Sequence, residues 1–286
     1  MNDTHPNASE PTAVCETLAI RLEGAVLHVT LNRPESRNAM SLRMVQELQT
    51  VLKQAEQGGA MRVLVLRGAG GHFCAGGDLK DMAAARMRAM QAPVASGASA
   101  PGPDPVAEVN ACFGELCVAY ANTPLALVVV TEGTVMGGGF GLACVADVTL
   151  ASNTAVFRLP ETGLGVVPAQ IAPFLVERLG YSQAKRLAVT GGRIGAEEAL
   201  RIGLVHAVHP TEQIDAALVA VLTDILGCAP GALAATKALI TRARWTPAAE
   251  LVAHAAAVFA RAVQSAEGTE GTSAFLQKRK PKWATP

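Results

Sequence analysis

The stretch GAGGHFCAGGDL, residues 68–79, decides the fold, because it links a short apolar run to the start of a helix through a glycine-rich turn. The run before it, residues 62–67 (RVLVLR), has the unbroken β-branched and leucine pattern of a strand buried on both faces. A second turn of this kind, residues 136–141 (MGGGFG), follows another apolar run at 124–130. A strand, a glycine turn and a helix in this order leave backbone N–H groups free to bind an anion. The sequence therefore predicts an α/β fold with two such turns.

The pattern outside this stretch predicts the remaining elements. Residues 18–31 alternate like a hairpin that turns at Glu23-Gly24, and Ser41 is placed as the N-cap of a helix over 42–57. Further predicted elements are a helix over 106–122, a short helix over 140–144, strands over 148–151 and 155–158, and an almost wholly helical chain after 169. We expect a disordered segment over 1–15, a catalytic core over 16–200, a helical region over 201–286, and a loop or lid over 91–105.

Composition argues against several classes of protein. Lys and Arg number 24, as do Asp and Glu, so the formal net charge is zero, and aromatic residues make up 4% of the chain. These values disfavour binding of nucleic acid through a positive field or through base stacking. No apolar run approaches the roughly 20 residues of a membrane span, and the polar N-terminal residues lack the pattern of a signal peptide. The six cysteines contain no C-x-x-C pair, so we expect a reducing, cytoplasmic setting without disulfides or a metal site.

The two glycine turns allow three interpretations, which are a nucleotide site, close packing and an oxyanion hole. A dinucleotide site requires G-x-G-x-x-G spacing with an acidic residue ~20 positions on, and a P-loop requires Gly-Lys-Ser/Thr; neither turn satisfies these patterns. For a single turn, glycines that merely permit close packing are an alternative. Two N–H groups from separate turns can instead converge on one carbonyl oxygen and form an oxyanion hole. We favour this third interpretation because the chain carries two turns.

Motifs along the whole chain then resemble one family. The string FCAGGDL, residues 73–79, resembles the oxyanion signature of the enoyl-CoA hydratase/isomerase (crotonase) family. The remaining similarities, in the family's order, are LNRP at 31–34 with NAM at 38–40, the segment 133–139 with Asp147, FRLPE at 157–161 with 163–165 and Pro168, and a tail with Glu267-Gly268, Ala274-Phe275 and Lys278-Arg279. Together they cover about residues 18–282.

This resemblance implies a ClpP-like α/β spiral of ββα units, a C-terminal helical trimerisation region, and assembly as a homotrimer or a hexamer of two trimers. It implies an acyl-CoA thioester as substrate, with no cofactor besides the coenzyme A that the substrate carries. By motif position, the amides of Ala75 and Gly138 form the oxyanion hole, and Glu161 supplies acid/base catalysis. The other residues implied in binding substrate or CoA are Arg37, Ala39, Gly76, Gly77, Asp78, Leu79, Gly137, Gly141, Pro160, Gln170, Phe275 and Lys278.

One position departs from the family's pattern. Hydratases of this family commonly carry a second glutamate just after the glycine triplet, where this chain has Gly141. The single carboxylate of Glu161 can still run a hydration, or it can move a proton between two carbons in an isomerisation, and the residues leave both open. RNA binding and a catalytically inactive scaffold are further alternatives.

The residues after Glu161 indicate a substrate class. The segment 167–174 (VPAQIAPF) replaces a Gly-Gly-Thr-rich stretch of many members and is similar to the branch that acts on branched, carboxylated glutaconyl-CoA thioesters. The similarity is to hydratases of isohexenylglutaconyl-CoA, in acyclic-terpene catabolism, and of methylglutaconyl-CoA, in leucine catabolism. A substrate carboxylate needs a polar or cationic partner, for which Gln170 and Arg158 are the candidates.

Overall fold

The computed structural model describes residues 15–91 and 104–284. Its strands are β1 (Leu18–Glu23), β2 (Val26–Leu31), β3 (Val63–Gly68), β4 (Ala126–Thr131), β5 (Thr134–Met136), β6 (Val148–Ser152), β7 (Val156–Arg158), β8 (Arg193–Gly195) and β9 (Ala207–His209). They form a six-stranded sheet in the order β1-β2-β3-β4-β6-β9 and a three-stranded sheet in the order β5-β7-β8. In the larger sheet, β1 and β2 pair antiparallel and all other neighbours pair parallel.

The α-helices of the described residues match most of the predicted periodic segments. They are α1 (Leu42–Gly58), α2 (Leu79–Gln91), α3 (Pro105–Asn122), α4 (Gly138–Val145), α5 (Ala172–Thr190), α6 (Ala196–Arg201), α7 (Ile214–Gly227), α8 (Pro230–Ala243), α9 (Ala248–Gln264) and α10 (Ala266–Leu276). Ser41 caps α1 as predicted, because its hydroxyl accepts a hydrogen bond from the amide of Met44 at 3.2 Å.

The central strands of the large sheet are buried on both faces, as the unbroken apolar runs predicted. Alternate residues of β3 point to opposite sides. Val63 and Val65 join one apolar cluster, which contains Ile214 and Leu218 of α7. Leu64 and Leu66 join the other cluster, which contains the aromatic rings beside the two glycine turns. The turns therefore lie on one defined side of the sheet.

Parallel pairing brings the two glycine turns to the same edge of the large sheet. The strands β3 and β4 pair in parallel, so their carboxyl ends lie side by side. The first turn follows β3, and the second follows β4 through the short strand β5. An isolated bridge pairs Cys74 of the first turn with Val135 of β5. The chain segments predicted to carry the chemistry are therefore adjacent.

The chain after residue 169 contains two strands that the sequence did not predict. They are β8, which pairs with β7 in the small sheet, and β9, which extends the large sheet beside β6. Each has three residues, too few to show a period of two against the helices around them. The division at residue 200 stays a prediction. Most of the predicted disordered segment (1–15) and of the predicted loop (91–105) lies outside the described residues, at 1–14 and 92–103. The ends of the predicted loop are helical, since α2 includes Gln91 and α3 begins at Pro105.

Within the described residues, no single helix has the length and apolarity needed to cross a membrane. One pair of helical segments, Thr211–Gly227 and Pro230–Ala243, meets that requirement by length and composition, with a bend of 99° between its members. The described residues also hold no group of three or more His, Cys, Asp or Glu side chains that could bind a metal ion.

Candidate active site

The first glycine turn is attached to β5 by backbone hydrogen bonds. The amide of Cys74 donates to the carbonyl of Thr134 at 3.0 Å, and the amide of Met136 donates to the carbonyl of Cys74 at 2.9 Å. This pairing places Gly76 directly against the start of the second turn. Gly76 has a φ of +97°, and a Cβ added there would lie 3.3 Å from the Met136 carbonyl oxygen. Only glycine fits this conformation without strain.

The predicted oxyanion donor in this turn, Ala75, is wrong. Its amide already donates to the carbonyl of Arg37 at 2.9 Å. Met40 pairs with the same turn through two hydrogen bonds. The Met40 amide donates to the Gly76 carbonyl at 2.7 Å, and the Asp78 amide donates to the Met40 carbonyl at 2.9 Å. In an extended segment successive amides point to opposite sides, so the Gly77 amide points away from Met40. It has no acceptor among the described residues, so it is available to bind an oxyanion.

The second glycine turn supplies another free amide. Gly138 is the first residue of α4, and its N–H has no acceptor within the described part of the chain. Gly137 before it has a φ of +49°, a conformation that favours glycine. A Cβ added at Gly139 would lie only 2.6 Å from the Cβ of Cys74. The glycine triplet thus lets the two turns approach closely, with the Gly77 and Gly138 amides as the free donors.

Glu161 lies beside the second turn. It begins a 3-10 turn, Glu161–Leu164, directly after Pro160. A Cβ added at Gly137 would lie 3.0 Å from the Oε1 atom of Glu161, so the carboxyl group packs against the backbone that leads into Gly138. The Oε2 atom is buried and has no hydrogen-bond partner among the described residues. Burial raises the pKa of Glu161, and a hydrogen bond from its own amide opposes this shift. A carboxyl group of this kind is suited to general acid/base catalysis.

The space that a side chain at position 141 would need is already occupied. A Cβ added at Gly141 would lie 2.3 Å from the Cγ2 atom of Ile171 and 3.7 Å from the Cζ atom of Phe113. The same ring tip of Phe113 would lie 3.2 Å from a Cβ at Gly138. The site therefore has an apolar wall, formed by Phe113 and Ile171, where a second acid would stand. Neither contact could be predicted from the sequence, because each residue reaches the turn from a distant part of the chain.

Because of this wall, we expect the Gly141→Glu variant to be less stable than wild type. The added side chain overpacks against Ile171, and such overpacking typically costs about 1–3 kcal/mol of unfolding free energy. We expect a lower denaturation midpoint, measured by denaturant unfolding of wild type and variant. The double variant Gly141→Glu/Ile171→Ala should lose less than the sum of its two single variants, because the residues are in contact. A single variant as stable as wild type would contradict the placement of Ile171.

Several other predicted residues have local structural partners. Asp78 accepts a hydrogen bond from the Lys80 amide at 2.9 Å at the start of α2 and forms an ion pair with Arg33 at 2.9 Å. The same Arg33 donates to the carbonyl of Ala39 at 2.7 Å. These contacts fix the first turn from the side of β2. Leu79, the first residue of α2, is 62% exposed.

The two candidates for a substrate carboxylate differ. Arg158 donates through Nε to the carbonyl of Gly191 at 2.8 Å, a structural contact. Gln170 donates through Nε2 to the Oδ1 atom of Asn110 on α3 at 2.7 Å. It precedes Ile171 of the apolar wall, so this amide pair lies next to the wall in the chain. Binding of a substrate carboxylate by either side chain stays a prediction.

The residues predicted to contact CoA lie at the surface. Arg37 is exposed in a turn with a φ of 51°. Phe275, which is 82% exposed, and Lys278 lie at the end of α10, which packs on α8 and α9. Contact of these three side chains with CoA stays a prediction.

Comparison with known proteins agrees with this geometry. The model of the enoyl-CoA hydratase/isomerase family matches residues 21–286. The human mitochondrial enoyl-CoA hydratase domain-containing protein 2 is 33% identical over 90% of this chain and 85% of its own, and the mevalonyl-coenzyme A hydratase sidH of Aspergillus fumigatus is 31% identical over 90% and 91%.

Two solved structures are more similar in sequence. An enoyl-CoA hydratase/isomerase from Marinobacter aquaeolei is 50% identical, with a TM-score of 0.88 over 95% of this chain and 100% of its own. The protein AtuE from Pseudomonas aeruginosa is 49% identical, with a TM-score of 0.88 over 94% and 100%. The chain therefore has the crotonase fold and belongs to the enoyl-CoA hydratase/isomerase family.

Proposed function

We propose that this chain is an enoyl-CoA hydratase that uses Glu161 as its single acid/base and the amides of Gly77 and Gly138 as its oxyanion hole. The observation that carries the proposal is the buried Oε2 atom of Glu161 beside the start of α4, which has no hydrogen-bond partner in residues 15–91 and 104–284. A buried carboxyl oxygen without a partner is costly in a folded protein, so its retention next to two free amides indicates use in the reaction.

The proposed reaction adds water across the C2=C3 bond of the thioester. The carboxylate of Glu161 takes a proton from water, and the oxygen of that water bonds to C3. The electron pair of the double bond moves onto the thioester oxygen, where the Gly77 and Gly138 amides and the positive end of α4 stabilise the charge. The protonated Glu161 then returns its proton to C2, which regenerates the carboxylate and the thioester. The burial that raises the pKa of Glu161 makes its protonated and ionised forms closer in free energy at neutral pH, which suits a group that first accepts a proton and then returns it.

For the substrate we propose a branched, carboxylated enoyl-CoA of the isohexenylglutaconyl-CoA type, with methylglutaconyl-CoA as the alternative. The similarity of residues 167–174 to that branch supports this choice. The apolar wall of Phe113 and Ile171 offers a surface for an alkyl substituent, and Gln170 offers an amide N–H for a carboxylate. One relative at 31% identity is a mevalonyl-coenzyme A hydratase.

A panel of purified enoyl-CoA thioesters, with and without a carboxymethyl branch, tests this proposal. We expect the highest kcat/KM with a branched, carboxylated thioester, and a product heavier by one water molecule in mass spectrometry. The Gln170→Glu variant is the matched control, because the new charge should repel a substrate carboxylate and lower kcat/KM for carboxylated thioesters alone. Preference for an unbranched thioester, or an equal effect of Gln170→Glu on all thioesters, would refute the substrate assignment.

An isomerase is the second candidate, and Gly141 is the observation that favours it. With one carboxylate, Glu161 could remove a proton from one carbon of the acyl chain and return it to another, through the same enolate. Such a product has the mass of its substrate. The thioester panel therefore separates the two candidates by product mass alone.

We also propose that the chain assembles as a homotrimer or a hexamer of two trimers. The helix α9 has no buried residue, and its side chains Val252 and Phe259 are 66% and 71% exposed. An apolar helix face of this kind is typical of a subunit interface. Light scattering of the purified protein should give three or six times the mass of one chain. A monomer at micromolar concentration would contradict the assembly.

A further inference from the structure

Arg178 on α5 is a partly buried arginine that forms no ion pair with the Asp and Glu residues of the described chain. Two of its three nitrogens donate to backbone carbonyls instead. Nε and Nη2 donate to the carbonyl of Cys144 at 3.1 and 2.8 Å, and Nη2 also donates to the carbonyl of Ala146. Burial lowers the pKa of Arg178, as expected for a guanidinium that water solvates poorly. Such a charge needs a compensating partner.

The C-terminal end of α4 provides that partner. The last carbonyls of a helix lack intrahelical donors and carry the negative end of its dipole. The Ala143 carbonyl of α4 accepts a hydrogen bond from the hydroxyl of Thr149 in β6 at 2.9 Å. Arg178 donates to the carbonyls of Cys144 and Ala146. A cation at this end stabilises the helix.

Gly138 lies at the other end of α4. The helix has eight residues, so its two ends are roughly 12 Å apart. The helix α4 contains no charged residue, and Gly137 supplies no side-chain cap. Its placement therefore depends on contacts from outside. The chain at α5 supplies two of them, because Ile171 packs against Gly141 and Arg178 binds the far end.

We propose that Arg178 is a positioning residue for the reaction: by holding the terminal carbonyls of α4, it fixes the Gly138 amide where the thioester oxygen gains charge. The proposal rests on the oxyanion role of Gly138 given above.

If Arg178 had only a structural role, its replacement should affect a different part of the chain. Its Nη1 atom lies 3.2 Å from Nε2 of His206, and the amide of Thr149 donates to Nδ1 of His206 at 2.9 Å. Arg178 thus also touches the segment that leads into β9. If that contact alone mattered, its loss would loosen the β9 segment and leave α4 unchanged.

The test compares Arg178→Met and Arg178→Lys with Arg186→Met. In this control the replaced arginine lies further along α5, after the non-helical residue Gly180, and pairs with Glu198 at the surface. We expect Arg178→Met to lower kcat at least about tenfold, the scale of a partly buried cation at a helix end, with KM nearly unchanged. Arg178→Lys keeps the charge and should have an intermediate kcat. Hydrogen exchange of peptides from α4, followed by mass spectrometry, should be faster in Arg178→Met than in wild type and unchanged in Arg186→Met.

Three results would overturn the proposal. They are exchange in α4 that stays at the wild-type rate in both Arg178 variants, exchange that increases only around β9, and a KM that rises in proportion to the loss of kcat. Should Arg178→Met fail to fold, Arg178→Lys decides by the same measurements. A wild-type protein that converts none of the thioesters would contradict the proposed hydration, while exchange in α4 would still decide the role of Arg178.

Discussion

Replacing Glu161 with glutamine is expected to lower kcat for hydration by at least ~100-fold, the usual contribution of a positioned acid/base. Glutamine has nearly the same shape as glutamate but can neither accept a proton from water nor return one to carbon. KM should change little, because the carboxyl group packs against Gly137 and the oxyanion donors stay in place. Steady-state kinetics on the preferred thioester measures this effect. Activity within tenfold of wild type would refute the catalytic role of Glu161.

The stability of the same variant provides the control. Because burial raises the pKa of Glu161 in the folded protein, folding binds protons between the unfolded and folded pKa values. The free energy of unfolding therefore falls as pH rises through that window, and the ionised Glu161 destabilises the protein at neutral pH. Glutamine carries no charge, so the variant should be at least as stable as wild type at pH 7. Loss of activity together with retained stability assigns the effect to chemistry, not to folding.

Replacing Gly138 with proline is expected to lower kcat by about 10²–10³-fold, the typical cost of one oxyanion donor. Proline removes the N–H group, and it is tolerated at the first position of a helix, where that group has no intrahelical acceptor. KM should rise less than kcat falls, since the charge on the thioester oxygen is largest in the transition state.

Gly138→Ala is the matched control for the proline variant. It retains the N–H group and adds a Cβ that meets the same ring of Phe113, at 3.2 Å, which a small shift of the ring relieves. We therefore expect the alanine variant to keep most of its activity. Equal kcat values for the alanine and proline variants would show that the Gly138 amide is not an oxyanion donor. Denaturant unfolding of both variants verifies that they fold.

Local patterns predicted the parts of the structure that local forces control. The hydroxyl of Ser41 caps α1 because a cap depends on a few adjacent residues. The strand β3 is buried on both faces over residues 63–66 because these four residues are all apolar. The glycine turns come directly after apolar runs in the sequence, so the position of the candidate site could be inferred from local patterns alone.

Contacts between distant segments explain what the sequence did not predict. Whether the amide of Ala75 or Gly77 is free depends on the pairing of this turn with Arg37 and Met40, more than 30 residues earlier. The space at Gly141 is closed by Ile171, which has no sequence pattern that points there. No sequence pattern distinguishes the partly buried Arg178 from other helical arginines, because its contacts depend on the position of α4. Each of these features depends on tertiary packing.

The most direct test of the account follows the preferred thioester in water labelled with heavy oxygen, using wild type and Glu161→Gln side by side. We predict that wild type forms a product that is heavier by one labelled water molecule, with the label at C3. The Glu161→Gln variant should form that product at least ~100-fold more slowly. An unlabelled product with the mass of the substrate would contradict hydration, and equal labelling by both proteins would contradict the role of Glu161.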